Sequence, residues 1–300
     1  MLYSKNGYKD HEHGMVTTMM TNCIDLYEYY ELPKGEAQGG VLRVWHTETP
    51  AKVSSARRRP AVLILPGGAY AWTSPREAEP VALRFAARGY VPFVLDYSCA
   101  PCAFPISLRE AALAMRYIRE NAAAYEVNPQ MVAALGFSAG GHLCGSLGTL
   151  YDCDELLEIG SPRMFRPDAL ILCYPVAVAW GATHDTSFTN ISGGDEKLQQ
   201  RLSLDRCVRR DMPPVFLWHT RDDGSVPVRN SLILANALEE AGVDFTLHIY
   251  RHGQHGLSTA DELVFPSYGV PEASWDVAGW LESAVEFLKE TGFRIQDREV

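Results

Sequence analysis

Gly136-Phe137-Ser138-Ala139-Gly140, followed by Gly141, sets one hydroxyl among glycines in a chain of 300 residues. The pentapeptide matches G-x-S-x-G. An apolar run from Met131 ends at Phe137, and a helix starting near Ala139 can continue through Leu143 and Leu147. Between a strand and a helix, a serine in this pattern is bent into a tight turn. Side chains at the flanking glycines would collide with the adjoining strand or helix. The bend pushes the Ser138 hydroxyl clear of the backbone and turns the Ala139 N–H towards the same space. That chemistry is nucleophilic. The reading of the same glycines as a phosphate loop fails, because no G-K-[ST] follows.

A serine hydroxyl is a weak nucleophile at neutral pH and needs an imidazole base oriented by a carboxylate. His219-Thr-Arg-Asp222-Asp223-Gly-Ser-Val-Pro227 follows one apolar run and offers two aspartates. Arg251-His252-Gly-Gln-His255-Gly-Leu257 follows another and offers two histidines. Their order, serine then acid then histidine, is the one that accompanies this serine turn, but spacing does not choose within either pair. Attack on a carbonyl also creates an oxyanion that needs fixed donors. Ala139 N–H is one, and the loop Pro66-Gly67-Gly68-Ala69 offers a second at Gly68 or Ala69. That loop lacks the G-x-G-x-x-G of dinucleotide binding.

These groups need a scaffold that brings strand ends together. Ala61 to Leu65 is a short unbroken apolar run, as for a strand covered on both faces of a parallel sheet. Further strands are read at Val91 to Leu95, Met131 to Phe137, Ala169 to Tyr174, Val215 to Thr220 and Phe245 to Tyr250. Between them, Ser74-Pro75-Arg76-Glu77 and Ser107/Glu110 look like capping boxes that open helices. Val228 to Glu240 and Trp275 to Lys289 read as further helices. Residues 21–31 and 40–47 suit an antiparallel pair, and 1–20 a flexible extension. The alternation predicts an α/β fold, a mostly parallel central sheet with helices on both faces. It forms a single domain over 21–295, with an insertion or partial lid about 151–214.

The composition, 47% hydrophobic and 21% charged, is that of a globular protein, and the net charge of −10 argues against nucleic acid as a partner. Arg57-Arg58-Arg59 reads as a solvated loop edge. The seven cysteines are odd in number and partly apolar in context, unlike a disulfide framework. Cys99-Ala-Pro-Cys102 has redox or half-zinc spacing but no second cysteine pair, so neither a metal nor an organic cofactor is expected. No apolar stretch reaches the length of a membrane span or a signal core, which places the chain in the cytoplasm and away from membranes. A homo-oligomer remains open.

Five blocks together resemble the bacterial acetyl-esterase and xylan-esterase-like group of the α/β-hydrolase superfamily: Leu65 to Tyr70, Arg76 to Pro80, the serine turn, His219 to Pro227, and Gly253 to Leu257. The resemblance spans roughly residues 55–290. It implies the α/β-hydrolase fold and a serine ester hydrolase with Ser138, Asp223 and His255 as catalytic residues. Asp222 and His252 become the alternates. The group's oxyanion loop ends in a third glycine where this chain has Ala69. The substrate implied is a small ester with a short acyl group, such as an acetylated sugar or xylo-oligosaccharide. Tyr70, Trp72, Tyr151, Trp180 and Trp218 are candidates to stack on it. The alternatives are a feruloyl or general carboxylesterase, an arylformamidase, a peptidase-like hydrolase, or a non-catalytic binding protein on the same scaffold.

Overall fold

The computed structural model describes residues 19–47, 57–181, 183–262, 264 and 276–297. The extension read over 1–20 lies outside them up to Met19, where β1 (Met19–Asp25) begins. Asp25 turns the chain into a one-turn helix α1 (Leu26–Tyr29), its carboxylate accepting from the Tyr27 and Glu28 N–H groups. The predicted strand thus ends six residues early. There follow β2 (Val41–Thr47), β3 (Arg57–Leu65), α2 (Glu79–Ala86), β4 (Val91–Asp96), α3 (Ile106–Glu120), β5 (Val127–Phe137) and α4 (Ser138–Thr149). After these come α5 (Pro162–Phe165), β6 (Ala169–Cys173), α6 (Asp185–Ser192), α7 (Glu196–Arg201) and α8 (Leu204–Cys207). β7 (Val215–Thr220), α9 (Arg229–Ala241), β8 (Phe245–Tyr250), α10 (Trp280–Glu290) and β9 (Gln296–Asp297) complete the order.

The sheet runs β1-β2-β4-β3-β5-β6-β7-β8, with β9 paired to the start of β3. β1 and β2 are antiparallel, β2 meets β4 antiparallel, and every pairing from β4 to β8 is parallel. Alternating residues of one strand feed two cores, because successive side chains point to opposite faces. Leu63 and Leu65 of β3 join α3, α4 and α9 on one side, while Val62 and Ile64 join α2 and α10 on the other. This double coverage explains why β7 is buried along its whole length and why its sequence reads as an apolar run.

The residues read as a loop edge, Arg57-Arg58-Arg59, instead begin β3: Arg57 and Arg58 pair with β9, and Arg59 is buried with Glu126 at 3.3 Å. Neither capping box forms. Ser74 precedes a single 3-10 turn (Pro75–Glu77), and Ser107 lies inside α3; neither side chain caps a helix. Both acids point inward. Glu110 accepts from Ser98 N–H at 2.6 Å, Ser98 Oγ at 2.5 Å and Tyr27 Oη at 3.1 Å, locking the loop after β4 onto α3. Tertiary donors compete for the carboxylate and win, because an acid buried there finds more donors than one helix end supplies. The 151–214 segment contributes β6 to the middle of the sheet, and α6, α7 and α8 follow it. The start of the last helix at Trp275 lies outside the described residues. Among those described, no helix is long and apolar enough to cross a membrane.

Candidate active site

β5 ends at Phe137 and α4 begins at Ser138, with Ser138 at φ +52°. A left-handed backbone is strained for a residue with a Cβ. It persists here because the glycines leave no room for another path. A Cβ on Gly136 would strike the Gly140 carbonyl, and one on Gly140 would strike the carbonyls of Leu65 and Pro66. The α4 turn therefore packs directly on the end of β3, and Ser138 stands at the carboxyl edge of the sheet.

The loops after β7 and β8 deliver the other groups to the same edge. Ser138 Oγ lies 2.8 Å from His255 Nε2, and His255 Nδ1 lies 2.6 Å from Asp223 Oδ2. A carboxylate only accepts, so Nδ1 carries the proton and Nε2 is left to accept from the serine. Asp223 Oδ1 receives the N–H groups of Ser225 and Val226, each at 2.9 Å. His219 Nε2 donates to the Val226 carbonyl at 2.9 Å and passes within 3.4 Å of Asp223 Oδ2. Burial raises the Asp223 pKa, but the bonds from His219, His255 and Val226 overcome it, and the net shift is downward. Asp223 is a stable anion beside the imidazole.

Of the alternates, Asp222 and His252 pair with each other at 2.9 Å in the solvent-facing part of the same loops. Asp222 also accepts the Gly253 N–H at 2.8 Å, so this pair fixes the loop that carries His255.

Ala139 N–H belongs to the first turn of α4, whose amides have no intrahelical partner. Gly68, at φ +129°, and Ala69, at φ +57°, line the cavity beside Ser138. Among the described residues no acceptor takes the N–H of Gly68, Ala69 or Ala139, whereas the Gly67 N–H is committed to Glu77 Oε2 at 2.8 Å. The methyl group of Ala69 is thus accommodated in a left-handed backbone, its carbonyl held by Asn190 Nδ2 at 2.8 Å. Such an arrangement supplies a nucleophile, an oriented base and unclaimed donors around one point, the requirements of acyl transfer.

The cavity over Ser138 is small, about 210 Å³, and Trp72 stands at its rim, 55% exposed. The other aromatic candidates need correction. Tyr70 is buried, its hydroxyl donating to His142 Nδ1 at 2.8 Å. Trp218 is fully buried and stacks on Trp280 at 5.4 Å, in the core packed against α10 rather than in the cavity. Tyr151 joins Asp211 and Arg209, and Trp180 faces a separate cavity against α9 with its Nε1 on Asp205. Trp218 is turned away by the alternation of side chains along β7, and the other three are drawn to hydrogen-bond partners outside the cavity.

Three residues that pattern reading missed surround the site. His184 lines the cavity; its Nδ1 caps α6 by accepting from Ser187, which leaves the proton on Nε2. Burial, then the nearby His255, hold its pKa below the usual value. Glu77 is buried next to the 67–69 loop, and Tyr174 lies edge-on to the His255 ring at 5.0 Å between centroids. Nothing in their spacing marks them, since each is recruited across the fold. Cys102 Sγ donates to the Glu36 carbonyl and Cys99 Sγ to the Tyr97 carbonyl. Among the described residues, no three His, Cys, Asp or Glu side chains are grouped to hold a metal ion.

The profile of the BD-FAE family matches residues 49–238. The chain is 35% identical over 231 residues to endo-1,4-beta-xylanase B of Butyrivibrio fibrisolvens, covering 73% of this chain and 36% of that protein. It is 29% identical to an acetylxylan esterase of Xylanibacter ruminicola, covering 78% of this chain and 48% of that one. It therefore spans about a third to a half of the length of these curated relatives. The crystal structure of an acetyl ester-xyloside bifunctional hydrolase from Caldicellulosiruptor lactoaceticus superposes with a TM-score of 0.71 at 35% identity, covering 84% of this chain and 89% of the other. The fold is that of the α/β-hydrolases.

Proposed function

The chain belongs to the BD-FAE family, and from that premise we propose that it is a serine carboxylic ester hydrolase, an acetyl esterase that removes short acyl groups from sugars or xylo-oligosaccharides. The observation that carries this reading is the unbroken line from Asp223 through His255 to Ser138 Oγ, at 2.6 and 2.8 Å, facing unclaimed backbone amides.

In the proposed cycle His255 Nε2 takes the Ser138 proton as Oγ bonds to the ester carbonyl carbon. The carbonyl electron pair moves onto oxygen, held by Ala139 N–H and by the N–H of Gly68 or Ala69. The tetrahedral centre collapses, the C–O bond to the alcohol breaks, and His255 delivers its proton to the leaving oxygen. Water repeats the sequence on the acyl-enzyme and releases the acid. Asp223 stays ionised throughout and stabilises the imidazolium.

The small cavity favours a short acyl group, and Trp72 offers an exposed indole face to a sugar ring. The acetylxylan esterase and the acetyl ester-xyloside hydrolase among the relatives support the same substrate class. Seven free cysteines suit a reducing compartment such as the cytoplasm. The test is turnover of p-nitrophenyl esters by the parent and by Ser138→Ala. Acetate should outpace octanoate, and the variant should lose the burst while remaining folded. An active variant overturns the nucleophile, and a preference for octanoate overturns the short-acyl pocket.

A further inference from the structure

Glu77 is buried to 3% exposure, and each carboxylate oxygen has one donor: Oε2 takes the Gly67 N–H at 2.8 Å and Oε1 the Tyr174 hydroxyl at 2.7 Å. Neither donor is a cation. Leaving a buried carboxylate without a charged partner is costly, so its placement needs a reason beyond packing. Both donors lead to the reacting groups.

Gly67 begins the loop that presents Gly68 and Ala69. It sits so close to the serine turn that a Cβ added there would stand 3.0 Å from Ser138 Cβ and 2.7 Å from Glu77 Oε2. On the other side, Tyr174 lies edge-on to His255, and its hydroxyl accepts the Ser258 N–H at 2.9 Å, three residues beyond that imidazole. Ser258 Oγ returns a bond to the Arg76 carbonyl at 2.5 Å, next to Glu77 in the chain. The loop after β3, the 3-10 turn, the end of β6 and the loop after β8 thus meet at one carboxylate.

We propose that Glu77 is a positioning residue: one buried carboxylate that holds the oxyanion loop and the histidine loop in register across Ser138. The inference rests on Ser138 being the nucleophile. It goes beyond that reading by assigning a role to a side chain whose hydrogen bonds go to Gly67 and Tyr174 and not to Ser138, His255 or Asp223.

Glu77→Gln keeps the shape but removes the charge and accepts through one oxygen only, so the Tyr174 hydroxyl must turn from donor to acceptor and the geometry of the junction shifts. With the N–H groups beside Ser138 displaced by a fraction of an ångström to about 1 Å, kcat should fall about 10- to 100-fold. KM should stay within about twofold, because glutamine keeps the size of the side chain where it lines the cavity and leaves Trp72 in place. The rate is expressed per serine titrated to completion with a fluorophosphonate. A merely structural role would lower the number of titratable serines and leave the rate per site unchanged, which overturns the proposal; so would a loss confined to KM.

Should Glu77→Gln fail to fold, Tyr174→Phe removes one donor and keeps the ring, and its kcat per site should drop while KM holds. Where both fold, the double variant should lose less than the product of the two single losses, since either change breaks the same bond; losses that multiply in full count against a shared network. Labelling of the parent, absent in Ser138→Ala, reports separately on the nucleophile. If the parent itself is not labelled, it is the esterase reading that fails.

Discussion

Asp222 and Asp223 are adjacent and chemically identical, yet the loop after β7 sends them to different tasks. Asp223 is buried, receives two backbone N–H groups and meets the His255 imidazole, whereas Asp222 pairs with His252 in solvent. The energetic consequences differ accordingly. An exposed ion pair contributes little, while an anion that orients an imidazole governs which ring nitrogen carries the proton. Asp223→Asn should therefore lower kcat on the order of 10,000-fold by favouring the wrong tautomer. Asp222→Asn keeps an oxygen for the Gly253 N–H, and its kcat should stay within roughly threefold of the parent, an exposed pair of this kind being worth under about 1 kcal/mol. Steady-state rates on p-nitrophenyl acetate decide the matter, and comparable losses in both variants would remove Asp223 from its assigned place. The local pattern around Ser138 carried this site a long way, because a tight turn needs glycine on both sides and shows in sequence. It could not rank neighbouring aspartates. Burial and donors arrive only when β7 and β8 lie side by side.

α4 does more than begin with a serine. One turn on, His142 is buried, accepting from the Tyr70 hydroxyl through Nδ1 and donating Nε2–H to the Leu202 carbonyl at 2.8 Å. It thereby joins α4 to the residue after Ala69 and to the C-terminal end of α7. Burial lowers its pKa from 6.5 to about 4, against the smaller opposing effect of the Leu202 bond. Between those values the unfolded chain binds a proton that the folded protein refuses, so stability rises with pH across the window. The contribution is complete above pH 6.5 and lost progressively as pH falls towards 4, reaching about 3 kcal/mol at about 1.4 kcal/mol per unit. Urea unfolding between pH 7 and 4.5 should show a shallower pH slope in His142→Gln than in the parent; parallel slopes would place that proton elsewhere. At this scale the strands β7 and β8 were legible to the residue: β7 is the plain apolar run of a strand buried on both faces, and β8, at the sheet edge and only partly buried, follows the strand–helix alternation. The two helix starts at Ser74 and Ser107 were not. A serine followed three places later by an acid has the same spacing whether the acid caps a helix or is drawn into the core, and for Glu77 and Glu110 the core donors prevail.

Across the molecule, the two faces of the sheet divide the labour. The face built on α3, α4 and α9 supports the serine turn, and the face built on α2 and α10 backs the histidine loop. On this second face a continuous aromatic path runs from α10 to the site: Trp280 stacks on Trp218, Tyr174 meets Trp218 edge-on at 4.9 Å, and Tyr174 meets His255. Trp280 Nε1 also donates to the Ser258 carbonyl at 2.8 Å, so a helix near the end of the chain holds the loop that carries His255. Reading β7 as a strand located Trp218 near a carboxyl end but not on a face, and a single step of alternation separates a ring in a substrate cavity from a ring in the core. The two placements make opposite predictions. With no exposed surface, Trp218 contributes through burial, and Trp218→Ala should cost about 3 to 5 kcal/mol in chemical unfolding. The folded fraction, counted by serine titration, should keep the parent's ratio of acetate to butyrate turnover. A variant that is stable to within about 1 kcal/mol but discriminates acyl groups differently would put the indole against the substrate and take it out of the core packed on α10.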